Sequence, residues 1–486
     1  MKSLKQLLLF YLLTMVGFVS SYAQRPKNII FILSDDHRYD YMGFHPESPE
    51  FLNTPGMDRM AAEGTHLANA FVTTSLSSPS RASILTGQYP FRHGVVDNYN
   101  AMPEGTALFS EALQEAGYQT GYFGKWHIGH AHDNPKPGFD RWVSFRGQGV
   151  YYNPTFNIDG ERKQFEGYIT DLLTDHAIEW LDDIDREKPF FVYLSHKAVH
   201  AEFKPAERHK GMYEDVKITG PQSMKNIESN YEGKPDWVRE QRYSWHGVDF
   251  MYQNQPDHPQ GIDEIIPRYC ESLMAVDESI NRVLDYLEQE GLDKETLVIY
   301  MGDNGFMLGE HGLIDKRQAY EESMRVPMLA WGAGIIEGGS TIEENIMNID
   351  LTPTFLDIAG GSMPEDHSID GRSFLPLLKG ESVEWRSTFV YQYFWEHAFP
   401  HTPTTFAIRG ERYKYIYYHG VWDKNELYDL KTDPNEMHNL IDAPEHQERI
   451  RKMRDEMFDV FEQNDATDVR FRRPSSFQAD EKLIHP

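Results

Sequence analysis

A single cysteine, Cys270, stands in 486 residues, so no intrachain disulfide can form. It falls among Tyr269, Leu273 and Met274 in an apolar helical pattern and reads as a buried structural thiol. Basic residues are also scarce: 47 Lys and Arg against 76 Asp and Glu leave a net charge of −29. That balance argues against nucleic acid, whose phosphates need a cationic surface, and against passive adhesion to any polyanion. An anionic substrate therefore requires basic groups concentrated in one site. Long hydrophobic runs are missing too. The stretch Leu7 to Val19 is too short for a comfortable membrane span and no other run is long enough, so no membrane span is expected. There is no internal repeat and no low-complexity segment.

The N-terminus reads as an export signal. Lys2 and Lys5 precede the short apolar run, and Ser21-Tyr22-Ala23 offers the small residues a signal peptidase needs, with cleavage before Gln24. No cysteine follows, which argues against a lipoprotein anchor. Residues 1–23 are thus expected to be a signal peptide, and the mature chain to be exported.

At 486 residues the chain is long enough for one large domain and a smaller one. Ile29–Leu33, Phe190–Leu194 and Leu297–Met301 are short continuous apolar runs, as in strands buried on both faces of a parallel sheet. Helical patterns lie between them, one around Thr174–Leu181 and one from about Ile262 to Glu288. This alternation predicts an α/β fold: a large, mostly parallel sheet covered by helices on both faces. From about residue 385 the order changes to short strands, Thr388–Tyr393, Thr405–Arg409 and Tyr413–Tyr418, and a final helix with Ile450, Met453, Met457, Val460 and Phe461 on one face. Residues 24–384 are therefore expected as the catalytic domain, and 385–486 as an α+β subdomain with a short antiparallel sheet. Residues 201–261 are polar, aromatic and without periodicity, a long irregular stretch of the kind that often carries function.

Two of the buried runs end in metal-binding chemistry. Ile29–Leu33 leads into Ser34-Asp35-Asp36-His37, and Leu297–Met301 into Gly302-Asp303-Asn304-Gly305. In open α/β sheets ligands bind beyond the carboxyl ends of the strands. Asp35, Asp36 and Asp303 supply carboxylates and Asn304 a carbonyl, an all-oxygen set suited to Ca²⁺ or Mg²⁺ rather than zinc. A third segment, Ser77-Ser78-Pro79-Ser80-Arg81 followed by Ala82-Ser83-Ile84-Leu85-Thr86-Gly87, places a hydroxyl at the start of a helix. Free N–H groups and the helix dipole favour negative charge there, and Arg81 adds a cation one turn on. Such a place can bind an oxyanion ester and attack it. Arg92-His93-Gly94 is expected to close this helix.

The pattern Ser77-x-Pro79-x-Arg81-x-x-x-Leu85-Thr86-Gly87 resembles the activation motif of the type I, formylglycine-dependent sulfatases of the alkaline phosphatase superfamily, in their serine version. The resemblance extends to Asp35-Asp36, Gly124-Lys125-Trp126-His127, the segment Tyr193 to His200, Asp303-Asn304, Gly309-Glu310-His311-Gly312 with Lys316, and the C-terminal Glu426-Leu427-Tyr428-Asp429-Leu430. It implies that Ser77 is oxidised to formylglycine by a maturation enzyme, and that Asp35, Asp36, Asp303, Asn304 and position 77 surround the metal. Hydrated formylglycine attacks sulfur, and His127 then takes a proton so that the hemiacetal collapses and frees sulfate. Arg81 orients the nucleophile, Lys125 and Lys316 clamp sulfate oxygens, and His200 protonates the leaving oxygen; His196 is an alternative for that acid. A serine rather than a cysteine implies bacterial maturation, hence a periplasmic or secreted protein of a Gram-negative bacterium.

The chain also resembles N-acetylglucosamine-6-sulfatase-like and algal polysaccharide sulfatases, implying a sulfated carbohydrate, a polysaccharide-derived oligosaccharide, with a slight lean towards an algal glycan such as ulvan over a glycosaminoglycan or mucin. His196, His311, Arg317, Trp395, His397 and His401 are candidate substrate contacts. Two other readings stand beside this one: a phosphoesterase or phosphonate hydrolase of the same superfamily, and a glycan-binding protein with an unmodified, silent site.

Overall fold

Ten strands build the main sheet, in the order Ser340–Ile342, Thr65–Leu67, Met328–Gly332, Thr296–Gly302, Asn28–Ser34, Phe190–Ser195, Gln119–Lys125, Arg141–Phe145, Thr155–Ile158 and Glu161–Gln164. The computed structural model describes residues 27–129, 132–251, 258–332, 334–420 and 424–468; the expected signal peptide lies outside them. Asn28–Ser34 sits at the centre and pairs in parallel with both Phe190–Ser195 and Thr296–Gly302. The three apolar runs of the sequence are therefore neighbours. Gln119–Lys125 extends the parallel block, and Met328–Gly332 joins Thr296–Gly302 antiparallel. The sheet is mixed, with a parallel centre.

Every residue of Asn28–Ser34 is buried because the sheet is covered on both sides. Ile30 and Ile32 face a core shared with helix Ile262–Gln289, which presents Ile265, Tyr269, Leu273, Val276, Ile280 and Leu284, and with helix Ile169–Asp183. Ile29, Phe31 and Leu33 face a second core containing Phe109, Leu351 and Phe355. This is the period-two alternation of a strand, satisfied on both faces. Cys270 is buried in the first core.

The C-terminal part forms a four-stranded antiparallel sheet, Thr388–Tyr393, Thr405–Gly410, Tyr413–Tyr418 and Glu426–Asp429, with helix Gln447–Glu462 packed against it through Met453, Met457 and Phe461. No helix among the described residues is long and apolar enough to cross a membrane.

Helix Ser77–Thr86 begins at the serine, as its sequence suggested. It closes at Gly87, which adopts the left-handed φ of 70° and donates its N–H to Ser83 O, an arrangement in which glycine carries no Cβ penalty. Arg92-His93-Gly94 does not close it. These residues belong to a separate short helix, Pro90–His93, capped by Gly94.

Candidate active site

The parallel strands deliver their following residues to one point. Asp35 and Asp36 leave the end of Asn28–Ser34, Asp303 and Asn304 the end of Thr296–Gly302, and Lys125 ends its own strand. The Asp36 N–H donates to Asp303 Oδ1 (3.0 Å), and Asn304 Nδ2 donates to Asp36 Oδ1 (2.7 Å), so the two acidic turns are cross-bonded. Ser77 Oγ lies 3.5 Å from Asp35 Oδ1. Arg81 reaches Asp303 Oδ2 through Nε (2.9 Å) and Nη2 (2.8 Å), and its Nη1 donates to Lys125 O (2.7 Å) and Ser195 Oγ (2.6 Å). Lys125 pairs with Asp35, and Lys316 with Asp36. All these side chains are buried.

Backbone geometry serves the same point. At Gly124, before Lys125, a Cβ would lie 1.7 Å from Ser195 O, so only glycine lets the strands approach. Asp36 (φ 59°) and His127 (φ 45°) hold left-handed backbone conformations that cost energy for residues with side chains. The Ser78 N–H in the first helical turn donates to Asn98 Oδ1 (3.0 Å), and its hydroxyl donates to the His127 carbonyl, tying the helix start to the Gly124–His127 segment.

Three carboxylates (Asp35, Asp36, Asp303) face three cations (Arg81, Lys125, Lys316), so the protein groups alone sum to zero charge. Burial disfavours ionisation of Asp35, but Lys125, His200, Arg81 and Lys316 outweigh it and hold its carboxyl well below the usual carboxylate range. Asp36 goes the other way. Burial pushes it up to about 7, with Lys316 opposing and Asp35 and Asp303 adding repulsion. Asp36 Oδ2 and Asn304 Oδ1 are buried and accept no hydrogen bond among the described residues. Such buried acceptors call for a partner, and an oxygen-only donor set matches a hard divalent cation. One acceptor atom each from Asp35, Asp36 and His200 also lie within 4.8 Å of one another.

A cavity of about 310 Å³ opens over this centre, lined by Asp36, His127, His200, Lys316 and Arg317, by Asn98, Tyr99 and Gln148, and by Trp245 and His246 from the irregular stretch. His200 Nδ1 is 2.7 Å from Ala201 O, and Nε2 lies 3.8 Å from Asp36 Oδ2. Burial, Lys125 and Lys316 hold its pKa well below the ordinary histidine value, against the pull of Asp35. Arg317 is fixed by Glu396 (Nε to Oε2, 2.7 Å) and Asp315 (Nη1 to Oδ2, 2.7 Å), with its guanidinium 3.6 Å from the Phe399 ring centre. His246 pairs with Asp315 at 2.9 Å.

The other substrate candidates are not brought to this cavity. His196 turns into the first core, where its Nε2 lies 3.0 Å from Ser279 Oγ. The reason is strand parity. The His196 N–H donates to Leu33 O and extends the strand by one residue, so Ser195 points towards Arg81 and His196 points to the opposite face. His311 is buried, its ring 4.5 Å from that of Tyr320. Trp395, His397 and His401 are exposed outside the cavity; Phe399 and Glu396 from the same segment face inward. Glu310 lies outside the cavity wall and accepts from Arg38 Nη1 (2.8 Å). Lys197, Trp245, His246 and Phe399 line the cavity without having been singled out. Lys197 sat unassigned inside the Tyr193–His200 motif, while Asn98 and Gln148 carried no sequence signal.

With this geometry, the comparisons with known proteins are direct. A model of the sulfatase family matches residues 27–362, and the C-terminal model of N-sulphoglucosamine sulphohydrolase matches residues 309–463. The chain belongs to the sulfatase family and is a sulfuric ester hydrolase. Among individual proteins, it is similar to the N-acetylglucosamine-6-O-sulfatase of Bacteroides thetaiotaomicron, at 32% identity over 95% of this chain and 90% of that protein. It is also similar to the human N-acetylglucosamine-6-sulfatase, at 30% identity over 77% of this chain and 68% of that protein. The solved complex of BT4656 with its substrate D-glucosamine-2-N,6-O-disulfate superposes with a TM-score of 0.83, at 32% identity over 92% of this chain and 99% of that one.

Proposed function

We propose that this sulfatase removes the sulfate ester of a sulfated carbohydrate, and that 6-O-sulfated glucosamine-type sugars are its substrate class. The observation that carries the reading is the meeting of Ser77 with Asp35, Asp36, Asp303 and Asn304 beneath a cavity walled by Lys316 and His200. The substrate class is supported by the names of relatives at 30% identity or above, which act on N-acetylglucosamine 6-sulfate or bind a 6-O-sulfated glucosamine. Those names lend nothing to an algal polysaccharide.

Asp35, Asp36, Asp303 and Asn304, with position 77, are the groups that hold a divalent ion, Ca²⁺ or Mg²⁺. The bound ion supplies positive charge that polarises the sulfate and the nucleophile. Formylglycine formed from Ser77 supplies a hydrated aldehyde in place of a weakly nucleophilic alcohol. The remaining steps belong to the chain's own side chains. Arg81, locked by Asp303, Lys125 O and Ser195 Oγ, fixes the position of residue 77. Lys125 and Lys316 donate to nonbridging sulfate oxygens, where charge must be held as the S–O bond breaks. His127, at the tip of the Gly124–His127 segment, accepts a proton from position 77. His200 donates to the departing sugar oxygen. Burial and neighbouring cations keep it unprotonated in the free site, and the negative sulfate raises its affinity for a proton on binding.

Residues 24–384 act as the catalytic domain in this reading. The subdomain from 385 contributes Phe399 to the cavity wall and Glu396 as the partner that fixes Arg317. An exported protein, matured by a formylglycine-generating enzyme in a Gram-negative cell, fits the same reading. The test is sulfate release by matured enzyme from a panel of sulfated mono- and oligosaccharides, with aryl sulfate and aryl phosphate esters in parallel. Release from 6-O-sulfated glucosamine, with aryl sulfate favoured over phosphate, supports the proposal. Preference for phosphate esters overturns it in favour of the phosphoesterase alternative.

A further inference from the structure

Lys197 has no role in the chemistry described so far, yet it lines the cavity over the reaction centre. It is 2% exposed. Its ammonium lies 4.6 Å from the centre of the Tyr151 ring, and among the described residues no carboxylate stands within ion-pair distance of it. The other cavity cations are committed: Lys316 to Asp36, and Arg317 to Asp315 and Glu396. A desolvated ammonium held only by an aromatic face is costly without an anion. Lys197 is also rigidly set beside the proposed acid. The His200 N–H donates to Lys197 O (3.1 Å), closing the turn, and the Tyr151 hydroxyl that lies beyond the ring donates to His200 O (2.5 Å).

Resting on the sulfatase reading of this cavity, we propose that Lys197 is a further substrate-binding residue whose ammonium takes an anionic oxygen of the sulfate ester on its leaving-group side, next to His200. The charged groups around it are Lys125, which repels it, and Asp35, Glu202 and Asp36, which attract it. Burial leads these effects, and together they push the ammonium down to about 8. An incoming sulfate is the counter-charge that restores it.

The test is binding, so that it does not depend on turnover. In a Ser77→Ala background, the dissociation constant of glucosamine 6-sulfate is measured by calorimetry for Lys197, Lys197→Met and Lys197→Arg, with glucosamine as the unsulfated control. A charged hydrogen bond of this kind is worth about tenfold to a hundredfold in affinity. Lys197→Met is expected to weaken the sulfated sugar by that factor and leave glucosamine unchanged, while Lys197→Arg retains most of the affinity. Thermal melts of all three establish that folding is not the cause. Equal affinity for Lys197→Met and the parent overturns the proposal, as does loss in both variants together with a lowered melting temperature. A matured enzyme that binds in this Lys197-dependent way but releases no sulfate would leave the inference standing and remove the functional reading.

Discussion

Arg81 and Asp303, 222 residues apart in sequence, meet through two contacts of 2.9 and 2.8 Å to one carboxylate oxygen, while the same guanidinium holds Lys125 O and Ser195 Oγ. One side chain thus fixes the helix of Ser77 against three strands. A lysine has no planar fork with which to repeat this. Arg81→Lys is expected to lower stability by about 2–3 kcal/mol, the scale of one or two lost charged hydrogen bonds, and to lower sulfate release at least a hundredfold. Urea unfolding and turnover on the same preparation check both figures.

Asp36 is cross-bonded to Asn304 and Lys316 and carries an unpartnered buried oxygen. Ca²⁺ is expected to raise the melting temperature of the parent protein, because a ligand that binds only the folded state stabilises it. Asp36→Asn should show a much smaller rise and contain less metal by elemental analysis. An equal calcium shift in both proteins contradicts the assignment.

His196 is buried in the first core, and burial pushes its pKa down to about 3. The unfolded chain takes up a proton near pH 6.5 and the folded one does not. This contribution to stability is therefore complete above pH 6.5 and lost as pH falls from 6.5 towards 3, by about 1.4 kcal/mol per pH unit. His196→Gln keeps a polar group for Ser279 and should flatten the stability profile below pH 6.5, as read by denaturant unfolding at pH 7 and pH 5.

Lys414 joins the two parts of the chain. Its Nζ lies 3.0 Å from Glu321 Oε1 and 2.7 Å from Glu436 Oε1, all buried, and Arg409 pairs with the same Glu321 at 3.1 Å. Removing one partner of a buried ion pair typically costs about 3–5 kcal/mol. Lys414→Met should fall in that range, and adding Glu436→Gln should recover part of the loss. Unfolding free energies of both variants measure this coupling.

The parts of this architecture legible from sequence are those dictated by burial on both faces. Ile29–Leu33, Phe190–Leu194 and Leu297–Met301 announce themselves as unbroken apolar runs, and the residues just beyond them converge because parallel strands end on one side. Glu426–Asp429 was missed as a strand because its ends are acidic and its length is four residues. His196 could not be separated from His200 by spacing alone, since the choice depends on strand parity continuing one residue past Ser195. Arg317 was found in the wall of the site, but Trp395, His397 and His401 were not, because the turn from Glu396 to Phe399 follows Arg317 rather than any periodic pattern. Asn98 and Gln148 come from loops whose path no local signal fixes.

The central claim is that position 77, beside the carboxylates of Asp35, Asp36 and Asp303, is the nucleophile. The most direct measurement is sulfate released from glucosamine 6-sulfate by protein co-expressed with a formylglycine-generating enzyme, compared with Ser77→Ala prepared the same way. The account predicts release by the parent and none by the variant, with equal melting temperatures. Sulfate release that survives in Ser77→Ala would contradict it.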